Sequence, residues 1–167
     1  MEIEFRTARA ADFDRAADLV CQVHALHVAG RPDIYRDAPA LTNAQFRQML
    51  DHPKAPVETA WRGDALVGLA MASLRGPSDN PTLCPRRVAM LEVFVVDAAV
   101  RASGVGTRMM ERVERWAQRH SAQSLELMVW AFNTQAMDFY KNRGMTVRSL
   151  ILEKSIDTRA DAPWQGE

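Results

Sequence analysis

Cysteine is nearly missing from this 167-residue chain: Cys21 and Cys84 stand far apart, with no C-x-x-C pair. That excludes a disulfide-stapled scaffold and a cysteine-ligated metal centre, leaving two reduced, structural thiols as the expectation. An excess of one charge is missing too. Lysine plus arginine and aspartate plus glutamate number 21 each, so nothing argues for a nucleic-acid groove or an anionic membrane surface. Long hydrophobic runs are absent: no segment approaches the roughly 20 apolar residues of a membrane span, and MEIEFRTARA carries charges where a signal peptide needs an apolar run. The expectation is a cytoplasmic protein whose partner is small or locally recognised. No internal repeat or low-complexity tract appears, which excludes a solenoid.

What is present is core-forming material. With 47% hydrophobic residues, the chain fits one compact domain, drawn here over residues 1–157 with a polar, frayed tail at 158–167. IEFRTA (3–8) alternates as a strand does, and Asp12 is placed to cap an amphipathic helix bearing Phe13, Ala16, Val20 and Val23 on one face. Gly30, Pro32 and Pro39 break that helix, and TNAQFRQML starts a shorter one at Thr42. VETAWRGDALVGLAMASL reads as a hairpin around Gly63 and Asp64, followed by the loop GPSDNPTLCP.

VAMLEVFVV (88–96) is apolar at every position except Glu92, the mark of a strand covered on both faces. A helix follows with Val105, Met109, Val113, Trp116 and Ala117 at helical spacing. SLELMVW (124–130) reads as a strand, NTQAMDFYKNRGM as a helix capped by Asn133 and ended by Gly144, and TVRSLILEKSI (146–156) as a last strand. The order is that of an α/β sandwich whose central strands are followed by helices.

Between the buried strand and its helix lies Arg101-Ala102-Ser103-Gly104-Val105-Gly106, reading R-x-x-G-x-G. Glycines let backbone N–H groups approach a ligand closely, and a helix N-terminus favours an anion, so the loop suits a pyrophosphate. It is not a dinucleotide fingerprint, since Met109 stands where the third glycine belongs, and no G-K-[ST] ending marks a Walker loop.

A strand ending Phe94-Val95-Val96-Asp97, then R-x-x-G-x-G, a helix, a strand, and Asn133 opening a helix with FYKNRGM resembles the GNAT superfamily of acetyl-coenzyme A dependent N-acetyltransferases. The resemblance is carried most by residues 90–145. It implies a mixed, mostly antiparallel sheet flanked by helices and splayed at its two central strands. It implies acetyl-CoA as cosubstrate and no metal. The pyrophosphate would lie on Arg101, Ala102, Ser103, Gly104, Val105, Gly106 and Thr107. Pantetheine would lie along the backbone of Phe94, Val95 and Val96, with Asn133 and Tyr140 approaching the cofactor.

Acetyl transfer to an amine needs a neutral nucleophile, a stabilised oxyanion and a proton for the departing thiolate. Tyr140 matches the family's general acid; its other reading is packing beside Phe139. Glu92, as a carboxylate in an apolar run, needs an explanation, because burial costs several kcal/mol unless the group is paired. By resemblance it takes the amine proton directly or through water; the alternative is a pair with an arginine such as Arg75. His27, Asp33 and Tyr35 are substrate-contact candidates, since the family builds its acceptor pocket from the first two helices and the loop between them. His24 and His27 form an H-x-x-H pair, for which a polar helix face is expected rather than a metal site. Trp61, Trp116 and Trp130 read as core aromatics, and Met109 with Met110 as helix packing. The expected function is acetylation of a primary amine. Alternatives are an acetyltransferase acting on protein N-termini or lysines, and a coenzyme-binding regulatory module without turnover. The resemblance also implies a homodimer through the last strand, where Leu150 and Leu152, alternating with Ile151, offer apolar surface for an edge contact.

Overall fold

The computed structural model describes residues 2–52 and 55–156. They fall into two compact units, Met1–Met128 and Val129–Glu167. The first unit holds a five-stranded sheet in the order β1-β2-β3-β4-β5. Its strands are β1 (Ile3–Thr7), β2 (Val57–Arg62), β3 (Ala65–Arg75), β4 (Val88–Val96) and β5 (Ser124–Leu127); its helices are α1 (Phe13–Gly30), α2 (Asn43–Asp51) and α3 (Val105–Arg119). The first four strands pair antiparallel and β5 joins β4 in parallel.

Local chemistry accounts for most of these elements. Thr42 accepts from the Gln45 amide and its own N–H donates to the Gln45 side chain, a reciprocal cap that starts α2. β2 and β3 meet through the two-residue turn Gly63-Asp64, with Gly63 at φ +60°. Asp12 precedes α1 as expected, but its carboxylate does not cap that helix. It takes both guanidinium nitrogens of Arg6 at 2.8 Å and the Arg9 amide at 2.7 Å, pinning the end of β1 to the turn before α1.

Alternation along β2 and β3 separates two cores. On one face Val57, Trp61, Leu66 and Leu69 cluster with Ala16 and Leu19 of α1 and Phe46 of α2. On the other, Ala60 and Gly68 meet Met109 of α3, with Met109, Met110 and Val113 fully buried. Small residues there allow helix and sheet to approach closely.

Two bulges shape the sheet. Val67 has no partner in β2, and Glu92 has none in β3, where Met71 faces Val93 and Ala72 faces Leu91. The β4–β5 ladder runs only from Val88–Ser124 to Leu91–Leu127, while β4 continues to Val96. The two central strands therefore part at residue 92.

Several expectations are corrected. β5 ends at Leu127, not at Trp130, and residues 146–156 form no strand. Val147, Leu150, Ile151, Leu152 and Ile156 are 65–90% exposed, so the apolar alternation there does not enter this sheet. Cys21 and Cys84, expected as structural thiols, are free and exposed. Trp61 and Trp116 are buried, whereas Trp130 is half-buried and stacks on Phe132 at 6.0 Å. The tail assigned to 158–167 lies outside the described residues. The second unit contains α4 (Thr134–Asn142), capped by the Asn133 side chain on the Ala136 amide and followed by Gly144 at φ +82°. Among the described residues no helix is long and apolar enough to cross a membrane.

Candidate active site

The site is built from the point where β4 leaves β5. From residue 93 to 96 the β4 backbone is held on one side by β3, through Met71–Val93, Ala70–Phe94, Leu69–Val95 and Gly68–Val96. Its other edge lies past the end of the β5 ladder. Strand edges carry N–H and C=O groups that accept an extended amide chain as they would another strand. Val95 points into the core at 2% exposure, while Phe94 and Val96 are half-buried. A role for Val95 toward a ligand is thus confined to its backbone.

The strand then enters the R-x-x-G-x-G loop through a 3-10 turn, Ala98–Val100. The Asp97 carboxylate caps that turn on the Ala99 amide at 2.7 Å. Arg101 donates through Nε to the Val96 carbonyl at 3.4 Å, and the Ser103 hydroxyl donates to the Val100 carbonyl at 2.5 Å. Ala102 sits at φ +60° and Gly104 at φ +84°, the left-handed region that costs a residue with a Cβ roughly 1–2 kcal/mol. Gly104 is the N-cap residue of α3, and no side chain caps that helix. Among the described residues a Cβ at Gly104 would meet nothing within 4 Å, so space lies beside this residue. The N–H groups that open a helix lack intrahelical partners and carry the positive end of its dipole. These features fit a pyrophosphate lying on the amides of Gly104, Val105, Gly106 and Thr107. Val105 is 2% exposed, so its side chain anchors the helix and any role toward a ligand is confined to its backbone.

The loop has a further support that its sequence does not reveal. Gln22 of α1 donates through Nε2 to Asp97 at 2.9 Å and accepts the Ala98 amide on Oε1 at 3.3 Å. The Asp97 carboxyl is held below the usual carboxylate range, first by Gln22 and then by the Ala99 amide. Gln22 and Asp97 are separated by 75 positions, and no local pattern links them.

Glu92 is not buried. As the unpartnered residue of the β4 bulge it turns outward and accepts the Ser73 hydroxyl at 2.7 Å and an Arg75 nitrogen at 3.3 Å. The arginine pair considered from sequence is therefore present, with Ser73 in addition. At the far end of α1, His27 stacks on Tyr35 at 5.0 Å while His24 meets the same ring edge-on at 6.0 Å. His24 Nε2 donates to the Arg36 carbonyl at 2.7 Å. Burial, with the charge of His24 second, lowers the His27 pKa and favours its neutral imidazole. Asp33 is exposed and held below the usual carboxylate range by Arg31, whose guanidinium binds it at 2.6 Å. The structure joins His27 with Tyr35, whereas Asp33 is taken up by Arg31 and Glu92 by Ser73 and Arg75. Among the described residues no group of three histidine, cysteine, aspartate or glutamate side chains is set to hold a metal.

In the second unit, Tyr140 packs edge-on against Phe139 at 5.4 Å, and burial pushes its phenol up to about 12. Asn133 lies at the start of the same helix, its side-chain oxygen engaged as the cap.

Comparisons with known proteins agree with this architecture. The BH1408 protein from Bacillus halodurans, as a tetramutant, superposes with a TM-score of 0.87 at 26% identity, over 92% of this chain and 99% of that one. Glucosamine-6-phosphate N-acetyltransferase from Arabidopsis thaliana gives 0.69 at 13% identity, over 94% and 100%. Aminoglycoside N-acetyltransferase AAC(6')-Iy, solved in complex with CoA, gives 0.71 at 16% identity, over 93% and 95%. No curated protein matches the sequence. The model of the acetyltransferase (GNAT) family matches residues 21–145, three quarters of the chain, a span that includes Gln22, Glu92, the R-x-x-G-x-G loop and Tyr140. The chain belongs to the GNAT acetyltransferase family.

Proposed function

We propose that the protein is a cytoplasmic N-acetyltransferase that moves an acetyl group from acetyl-CoA to a primary amine by direct attack in a ternary complex. The observation that carries this reading is the continuity of the β4 edge at 92–96 with the uncapped start of α3 at Gly104. One surface then offers strand-like hydrogen bonding for an amide-containing arm and N–H groups for a pyrophosphate. Family membership and the CoA complex of AAC(6')-Iy support the same ligand.

Bound acetyl-CoA would supply an activated acetyl thioester. A backbone N–H of Phe94 or Val96 would stabilise charge on its carbonyl oxygen. Glu92 would accept a proton from the amine, directly or through water. Tyr140, whose raised pKa keeps the phenol protonated, would donate to the departing thiolate; its part rests on the sequence resemblance. His27 and Tyr35 would supply aromatic and hydrogen-bonding surface for an acceptor, and Asp33, held by Arg31, is a further candidate contact. We also propose a homodimer in which the exposed apolar residues 147–156 are covered by a second copy; a monomer by light scattering at high micromolar concentration overturns that part.

The test of the main reading is twofold. Calorimetry should show coenzyme A binding, weakened at least tenfold, about 1.4 kcal/mol, by a bulky residue at Gly104 or Gly106 in a folded protein. A panel of primary amines, small and peptidic, should then release free thiol from acetyl-CoA. Binding without turnover on any amine identifies a regulatory module instead, and no binding rejects the coenzyme site.

A further inference from the structure

Gln22 takes no part in the chemistry proposed above, yet its side chain uses both polar atoms on the segment that leads into the coenzyme loop. Nε2 donates to the Asp97 carboxylate at 2.9 Å, and Oε1 accepts the Ala98 N–H at 3.3 Å. Asp97 uses its other oxygen to cap the turn Ala98–Val100 through the Ala99 amide at 2.7 Å, and its own N–H donates to the Val67 carbonyl at the β3 bulge. From the end of that turn, Val100 receives the Ser103 amide at 3.3 Å and hydroxyl at 2.5 Å. One residue later comes Gly104 at φ +84°. A series of hydrogen bonds thus runs from α1 to Ser103, the residue before the N-cap of α3.

We propose that Gln22 is a positioning residue for coenzyme A: through Asp97 and Ala98 it sets the path of the loop whose amides receive the pyrophosphate. The physical reason lies in the strain of that loop. The left-handed backbone of Ala102, which carries a Cβ, persists only where the surroundings over-determine it. Of the turn's three residues only Val100 is buried, while 98 and 99 are exposed, so packing fixes one end of the turn and hydrogen bonds hold the other. A glutamine suits the task because a neighbouring donor and acceptor must be matched at once, by a carboxylate and an amide N–H. The pair borders a cleft of about 180 Å³ also lined by Arg15, Asp18 and Leu66, so side chains of similar length fit at position 22 without entering the core.

This inference rests on the coenzyme site proposed above, and the experiment separates the two. Coenzyme A is titrated calorimetrically into wild type, Gln22→Glu, Gln22→Met, Asp97→Asn and the double variant Gln22→Glu/Asp97→Asn, with melting temperature as the check on folding. Gln22→Glu sets carboxylate against carboxylate, and Gln22→Met removes both hydrogen bonds at nearly constant length. Each should weaken coenzyme A about tenfold and raise KM for acetyl-CoA equally, leaving kcat at saturating acetyl-CoA and KM for the amine within twofold. The double variant reverses the donor. The amide nitrogen introduced at position 97 would donate to the carboxylate introduced at position 22, which would still accept the Ala98 N–H, while the amide oxygen at position 97 keeps the Ala99 cap. It should recover affinity to within about threefold of wild type, a rescue that a loss of general stability would not produce. Wild-type affinity in both Gln22 variants overturns the proposal, as does a double variant no better than its parents. Failure of the wild-type protein to bind coenzyme A rejects the site itself before any variant is compared.

Discussion

The Ser73 hydroxyl donates to Glu92 at 2.7 Å across the bulge between β3 and β4, and Arg75 reaches the same carboxylate oxygen at 3.3 Å. The bulge is what makes this contact. It removes Glu92 from the β3 register and turns it out of a strand that otherwise buries its side chains. Two functions compete for the carboxylate, a surface pair and a base for the acceptor amine.

Substitution of Glu92 distinguishes them. Glu92→Gln keeps an acceptor for Ser73 and removes the charge. If Glu92 takes the amine proton, turnover near neutral pH should fall by about 100-fold, and activity should recover as pH rises and the amine loses its proton unaided. A variant-to-wild-type ratio near one at every pH leaves Glu92 as a partner of Ser73 and Arg75 alone. Because that pair is partly exposed, stability should change by less than about 1 kcal/mol in either case.

Tyr140→Phe removes one oxygen and keeps the ring that packs on Phe139. Coenzyme affinity should stay within twofold while turnover falls by roughly 10- to 1000-fold. The raised pKa also predicts a stability trend. A phenol at about 12 in the folded protein, against about 10 when unfolded, contributes stability that is fully present below pH 10. That contribution is lost as pH rises through 12. Urea titrations should therefore show a steeper alkaline loss for wild type than for the phenylalanine variant.

Asp12 and Arg6 form a bidentate pair in which the Asp12 side chain is 8% exposed and Arg6 23%. The guanidinium, and after it the Arg9 amide, holds the carboxyl below its ordinary range. A depressed carboxylate stabilises the fold above its unfolded pKa, about 3.9, and that stability is lost as pH falls through the folded value. Asp12→Asn should cost roughly 2–4 kcal/mol at pH 7, near the lower end for breaking a buried pair. It should also flatten the acid limb below pH 4. Parallel acid limbs for the two proteins would show that the pair contributes nothing to acid unfolding.

Gly68→Ala tests the contact between sheet and helix. An added Cβ would stand 2.3 Å from Met109 Sδ and 3.1 Å from the Ala60 Cβ, and Met109 is fully buried. Overpacking of this kind costs about 1–3 kcal/mol. Met109→Ala in the same chain should return part of that loss, giving a negative coupling in a double-mutant cycle by urea unfolding. Additive effects would mean that the methionine moves aside freely.

Local chemistry made much of this protein legible before folding was considered. The Thr42 and Asn133 caps, the Gly63-Asp64 turn, the apolar β4 and the R-x-x-G-x-G start of α3 each depend on residues close in sequence, and each forms as expected. Gly104 was identifiable as one of two glycines where a strand runs into a helix, whereas the left-handed backbone of Ala102 was not. Tertiary structure alone decided where neighbours come from elsewhere in the chain. The outward turn of Glu92 depends on register with β3, the opening after Leu91 on where β5 stops, and the tie between Gln22 and Asp97 on helix and strand meeting across 75 positions. Residues 146–156 show the limit most plainly: their alternation fits a strand, but a strand exists only where another offers an edge, and that is a property of the whole sheet rather than of the segment.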